Sequence, residues 1–305
     1  MQSSSHERKE AMESGIDNGF LDAHVHLYPS RRLSGLIRWM HSFFPEHSVP
    51  KDATLDDVLS DLGRHKYRNF VALVFPLEPE ESRELNRFIA ELAGRVPGLI
   101  PFGCVHRDDA SPVEVVEKAI VEQRLAGLKF HPMVQHFDPY DRKLFDVYEF
   151  MNERRKPIYI HTGFDEWYGY FLADRSLRSL LKTYPDIPFV FCHMIFPRLD
   201  FAFELVEEFE NLFLDATNVF GTIALSQRLG SGVPDLDLDE AREGMDRWCE
   251  RIMFGTDHPA GMGSIEQILR DFHAFGLSDR AASQILHGTA ARFLAQHCSA
   301  YYGGG

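Results

Sequence analysis

Eight short apolar runs recur along this chain with helix-length segments between them, and that alternation leaves few ways to fold. The runs read as strands at Gly19–His24, Asn69–Phe75, Leu99–Val105, Gly127–His131, Pro157–His161, Phe189–His193, Leu212–Asp215 and Ile252–Asp257. Thr54 with Asp57 three residues on is a variant of the capping box and predicts a helix through His65. Pro79–Leu92, a segment opening at Ser111-Pro112, Asp141–Glu153 and a stretch around Ser176–Tyr184 read as further helices. Apolar strands alternating with helices predict an α/β chain closed into a (β/α)8 TIM barrel. A length of 305 residues suits one such barrel, and no interior linker or low-complexity stretch divides it. The predicted organisation is a flexible polar segment 1–18, a single barrel domain 19–298 and a tail 299–305.

In a barrel of this kind the chemistry sits where the strands end. The first run ends in Asp22-Ala23-His24-Val25-His26, and residues two apart share a strand face, so His24 and His26 project side by side about 6–7 Å apart. In a chain with 15 histidines that spacing alone says little. The other ends add to it: Lys129 and His131 on the fourth strand, His161 on the fifth, His193 on the sixth and Asp257 on the eighth. Burying so many polar groups without a shared partner would cost about 1–3 kcal/mol each, which a bound cation offsets. A metal centre is therefore the expectation. Asp215, closing the seventh strand, reads either as a support for that centre or as an ordinary buried hydrogen-bonded aspartate.

Composition limits the partners. The formal net charge of −14 argues against nucleic acid and against an acidic membrane surface. No apolar run is long enough to span a bilayer, and the opening residues lack the apolar core of a signal peptide, so a cytoplasmic address is expected. Cys104, Cys192, Cys249 and Cys298 show no paired spacing and read as reduced, buried thiols. The apolar stretch between Leu27 and Lys51 reads as a helical cover over the first strand's end. It suits a subunit contact in a homodimer equally well.

Five stretches carry a resemblance: Asp22-Ala23-His24-Val25-His26, Gly127-Leu128-Lys129-Phe130-His131-Pro132, Pro157-Ile158-Tyr159-Ile160-His161-Thr162-Gly163, Cys192-His193, and Arg251-Ile252-Met253-Phe254-Gly255-Thr256-Asp257-His258-Pro259. In order and spacing the chain, from about Phe20 to Leu294, resembles the amidohydrolase superfamily. Within it, the chain is similar to the amidohydrolase-related (type 2) TIM barrels that include aminocarboxymuconate semialdehyde decarboxylase and related decarboxylases and hydrolases. One departure is Gly288-Thr289-Ala290 where the family often reads Gly-Asn-Ala, and threonine can serve there as a helix cap.

The resemblance implies that His24, His26, His161 and Asp257 hold one divalent ion, zinc suiting such ligands, with water completing the shell. A second ion with a carboxylated Lys129 is the less favoured arrangement. The implied catalytic residues are Asp257, in proton traffic, and His193, which orients the nucleophile or stabilises charge on a carbonyl oxygen; a supporting hydrogen-bond role is the plain alternative for His193. Lys129 and His131 would face a carboxylated small-molecule substrate, Lys129 otherwise being a buried cation paired with a carboxylate. Trp167, in the aromatic segment after His161, and Arg198, after His193, are further substrate-binding candidates. Their plain alternatives are packing against the Leu27–Lys51 segment and a solvated helix face.

Three functions follow. The first is a hydrolase in which metal-bound hydroxide attacks an amide, ester or lactone carbonyl. The second is a non-oxidative decarboxylase of an aromatic or unsaturated carboxylic acid. The third is a barrel that binds a small molecule without turning it over. The same ligand set serves both chemistries, so the fold does not choose between them.

Overall fold

A computed structural model describes residues 20–65, 69–234 and 236–302. Gly19, the segment 1–18 and the last three residues of the tail lie outside it. Eight strands form one sheet in chain order: β1 (Asp22–His26), β2 (Phe70–Leu73), β3 (Leu99–Cys104), β4 (Gly127–Phe130), β5 (Ile158–His161), β6 (Phe189–Cys192), β7 (Leu212–Asp215) and β8 (Ile252–Met253). Each strand pairs in parallel with the next, from β1–β2 to β7–β8. This is the (β/α)8 barrel that the alternation predicts.

Strand parity sorts the side chains. On β4 to β7, Leu128, Phe130, Ile158, Ile160, Phe189, Phe191, Leu212 and Leu214 join the core between sheet and helices. The alternate residues Lys129, Tyr159, His161, Cys192 and Asp215 therefore turn inward. Val71, Leu73, Ile100, Phe102, Tyr159 and Val190 fill the barrel itself, and Phe293 and Leu294 of the last helix, Thr289–His297, pack onto the same cluster.

The eighth strand is two residues long where six were expected, because the chain leaves the ladder after Met253. Closure onto β1 is carried by single bonds instead. The amide of Ala23 donates to the carbonyl of Phe254 (2.9 Å), that of Asp257 to His24 (2.8 Å) and that of His26 to His258 (2.8 Å). Asp22 ties the same seam, accepting from the backbone N–H of Thr256 (3.0 Å), its hydroxyl (2.6 Å) and the N–H of His24 (3.1 Å). Gly255 permits the close approach, since a Cβ there would lie 2.2 Å from Thr217 Oγ1 and 2.6 Å from His24 Cβ.

The cover expected after β1 is a helix, Ser30–Phe43. Thr54 and Asp57 form the reciprocal capping box at the head of Leu55–Arg64. Thr289 does not cap. It lies within a continuous helical run and its hydroxyl donates to the carbonyl of Cys249 (2.8 Å), so the departure noted at Gly288-Thr289-Ala290 makes a tertiary contact rather than a helix end. All four cysteines are free and buried, and among the described residues no helix is long and apolar enough to cross a membrane.

Because Asp22 holds two donors of Thr256 across the seam and one of its own strand, Asp22→Ala is expected to cost about 3 kcal/mol, roughly one charged hydrogen bond plus the donors left buried. Urea unfolding would show this as a lower midpoint with an unchanged slope.

Candidate metal centre

His24 and His26 leave β1 into the open end of the barrel, and each imidazole is fixed through Nδ1. His24 Nδ1 donates to Asp215 Oδ2 at 2.5 Å, and His26 Nδ1 donates to the carbonyl of Leu73 at 3.0 Å. With the proton on Nδ1, each ring presents an Nε2 lone pair. These two Nε2 atoms lie 3.2 Å apart, and Asp257 Oδ1 lies 3.4 Å from the first and 3.1 Å from the second. The other carboxylate oxygen of Asp257 accepts from Asn218 Nδ2 at 2.6 Å. Three lone-pair donors thus converge in a buried space, an arrangement that repels itself unless a cation lies among them.

His161 and His193 form a second linked pair. The carbonyl of Thr217 accepts from His193 Nδ1 (2.9 Å), which leaves His193 Nε2 to accept from His161 Nδ1 (3.1 Å). His161 Nε2 is then a buried acceptor, and it has no hydrogen-bond partner. His161 also stacks on His131, with ring centroids 3.8 Å apart and planes 14° from parallel. His24 and His193 meet at 5.3 Å between centroids, which joins the two pairs.

The structure brings the sequence-predicted residues together unequally. Among the described residues, the sets whose ligand atoms lie within 4.8 Å of one another are His24, His26 and Asp257, and His24, Cys192 and Asp215. His161 belongs to neither set. Lys129 is fully buried beneath the histidines, and its Nζ donates to Cys192 Sγ at 2.9 Å. His131 caps the short helix after β4 and packs against Phe75 at 4.6 Å. Trp167 is half exposed and packs on Phe43 (4.6 Å) and Phe44 (5.9 Å), at the outer side of the cover segment. Its neighbour Tyr168 turns the other way, onto His131 (5.2 Å) and His161 (5.1 Å). Arg198 is paired with exposed Asp174 at 2.8 Å and joins neither histidine pair.

Three supporting groups were not singled out from sequence. Thr217 offers its carbonyl to His193, and its amide donates to Asp215 at 2.9 Å. Asn218 orients Asp257 from a left-handed backbone position. Tyr168 roofs the stacked histidines. Left-handed conformations cluster here, at His193, Met194, Ile195, Asn218 and Asp257. Such backbone strain recurs at functional sites and is invisible to pattern reading.

Burial governs the electrostatics. It pushes the imidazoles of His24, His131, His161 and His193 below their ordinary range, and the Lys129 charge adds to the effect on each. For Asp257, burial pushes the carboxyl up, but proton sharing with His26 and the positive charge that His24, His26 and His193 bring when protonated outweigh it and draw the group down; with neutral imidazoles a divalent cation would supply that charge. Neutral imidazoles beside an ionised carboxylate are the protonation states a divalent cation requires.

The amidohydrolase family model matches residues 21–296. The chain belongs to the amidohydrolase family. No curated protein sequence matches it. Its structure is similar to an uncharacterised TIM-barrel protein from Bordetella bronchiseptica, with a TM-score of 0.69 at 18% identity, over 92% of this chain and 99% of that one. It is also similar to 4-oxalomesaconate hydratase from Rhodopseudomonas palustris (TM-score 0.57, 15% identity, 92% and 97% covered). A third likeness is to 5-carboxyvanillate decarboxylase from Novosphingobium aromaticivorans, solved with manganese and 4-hydroxy-3-methoxy-5-nitrobenzoic acid (TM-score 0.59, 13% identity, 91% and 96% covered). At these identities the likeness is one of fold, the (β/α)8 TIM barrel.

Two outcomes follow for the centre. A histidine held neutral by burial takes up no proton where the unfolded chain does, so the metal-free protein loses stability as pH falls below the ordinary histidine value of 6.5. Its melting temperature should drop by about 5 °C or more between about pH 7.5 and about pH 5. Asn218→Ala frees one oxygen of Asp257 and should weaken metal affinity about 10–100-fold, read by competition with a chromogenic chelator.

Proposed function

We propose that this amidohydrolase is a metal-dependent hydrolase of a small, carboxylated substrate, cleaving an amide, ester or lactone carbonyl. The observation that carries the reading is the convergence of His24 Nε2, His26 Nε2 and Asp257 Oδ1 in a buried space, with the proton of each imidazole committed elsewhere. A divalent ion held there, zinc by the chemistry of the donor set, supplies Lewis acidity and makes water a nucleophile near neutral pH. His161 is the proposed fourth ligand, because its Nε2 is the buried acceptor left over in the network.

The remaining roles belong to the chain's own side chains. Asp257, ionised and held by Asn218, accepts a proton from the attacking water. His193 keeps its Nδ1–H on the Thr217 carbonyl, and its Nε2, which accepts from His161 Nδ1 here, is the one ring atom that can take up a proton and pass it to an oxygen at the reacting carbon. Lys129 contributes positive charge beneath that carbon, and His131 lines the site beside His161.

A second reading, non-oxidative decarboxylation of an aromatic or unsaturated acid, is supported by a different observation. One similar fold is a decarboxylase bound to manganese and a nitrobenzoic acid, and the present site buries Lys129 and its histidines away from water. A small-molecule binder without turnover is disfavoured, since His193 and Asp257 need no such positioning for binding alone.

The deciding experiment is a product assay of the metal-loaded protein on a panel of aryl carboxylic acids and cyclic esters. Ring-opened or hydrolysed product supports the first reading, and release of carbon dioxide without hydrolysis replaces it by the second. His161→Ala is expected to lose metal and turnover together. His193→Ala is expected to keep one ion per chain and lose about 100-fold or more in kcat; loss of the ion from His193→Ala would instead move that residue into the ligand set.

A further inference from the structure

At the end of the barrel opposite the histidines, where the strands begin, lies a cleft of about 400 Å³. Phe213 of β7, Trp248 and Phe293 of the last helix give it an apolar lining. Arg247, Arg251, Arg280 and Arg292 line it too, and Glu250 is the one acidic residue among them. Four guanidinium groups against one carboxylate reverse the balance of a chain whose formal net charge is −14. The volume falls within the range of small-molecule sites, about 300–1,000 Å³.

Two of the four charges are already neutralised. Arg247 pairs with Glu207 at 2.8 Å, and Arg280 pairs with Glu250 at 2.7 Å. Among the described residues, neither Arg251 nor Arg292 forms an ion pair with a carboxylate. Arg251 donates from Nε to the carbonyl of Leu212 (2.9 Å) and from Nη2 to those of Phe209 (2.9 Å) and Glu210 (2.7 Å), which fixes the group and leaves Nη1 without a partner among the described residues. Arg292 donates from Nη1 to Gln284 Oε1 at 2.6 Å and from Nη2 to the carbonyl of Glu250 at 3.4 Å. Neutral acceptors thus orient these two groups without compensating their charge.

The origin of the donors indicates the shape of the missing partner. Arg247 ends the helix Leu238–Arg247, Arg251 leads into β8, Arg280 belongs to the helix Asp279–Ser283 and Arg292 to the last helix. A planar carboxylate is satisfied by a single guanidinium fork, whereas donors arriving from separate elements suit a tetrahedral group with several oxygens. Excess positive charge in a cleft with an apolar lining raises the local concentration of such an anion.

We infer that this cleft binds a phosphorylated small molecule, with its phosphoryl group at Arg251 and Arg292 and its body against the apolar lining. Glu250 opposes the ligand, because its carboxylate occupies Arg280 and repels a second negative charge. Arg251 and Asp257 stand at opposite ends of the eighth run, so the cleft is separate from the metal centre and the inference does not rest on the reading of that centre.

The test titrates the full-length metal-loaded protein calorimetrically with phenyl phosphate and with inorganic phosphate, which lacks the apolar body. Phenyl phosphate is expected to bind the wild type at least about tenfold more tightly than inorganic phosphate. Arg292→Gln should weaken phenyl phosphate about tenfold or more, and Glu250→Gln, which frees Arg280, should tighten it about threefold or more. Equal affinity for the two probes identifies free phosphate as the occupant and overturns the assignment. No binding of phenyl phosphate, an affinity unchanged in Arg292→Gln, or one unchanged or weakened in Glu250→Gln overturns the site, and binding at the metal centre would give that insensitivity to both substitutions. Should Arg292→Gln not fold, Glu250→Gln alone decides, because damage to the fold does not tighten binding.

Discussion

The seam between the last strand and the first is the constraint on which the rest of this structure depends. β8 is short, and what closes the barrel is a handful of bonds between residues more than two hundred positions apart. The same backbone bond that closes the ring, Asp257 N–H to the carbonyl of His24, sets the carboxylate of Asp257 against the imidazoles of His24 and His26. Closure of the barrel and assembly of the candidate metal centre are thus one event. The seam is built so closely that only glycine fits at position 255, and both carboxylate oxygens of Asp22 bond to Thr256 across it.

Around that seam each imidazole is steered by an acceptor rather than by the cation. Asp215 and the Leu73 carbonyl fix His24 and His26, and the Thr217 carbonyl fixes His193, which in turn fixes His161. This ordering brings three candidate ligand atoms, those of His24, His26 and Asp257, within 4.8 Å of one another. It also confers a cost: buried neutral histidines are stable only while protons are scarce and the barrel is shut.

Much of this was legible in the residues. The alternation of strands and helices predicts the barrel, and the polar residues closing β1, β4, β5, β6 and the eighth run do gather at one end. Period-two parity places Lys129, His161 and Asp215 on the inside of their strands. Other parts left no pattern. Trp167 and Arg198 are in the right segments, but the structure turns the first onto the cover helix and pairs the second with Asp174. One residue's rotation decides between Trp167 outside and Tyr168 inside, and no periodicity operates over a four-residue helix. Asn218 acts from a left-handed backbone conformation, and Thr217 acts partly through its carbonyl, so neither advertises its role by side-chain type.

The use of main-chain carbonyls as the acceptors for His26 and His193 has an evolutionary consequence. A carbonyl belongs to every amino acid, so positions 73 and 217 can change identity over long divergence while the imidazoles above them stay in the same tautomer, provided the strand keeps its course. Asp215 has no such freedom, because its contact with His24 is made by the side chain itself. Substitution can therefore rewrite much of the wall of this barrel while the hydrogen-bond pattern that sets its histidines persists.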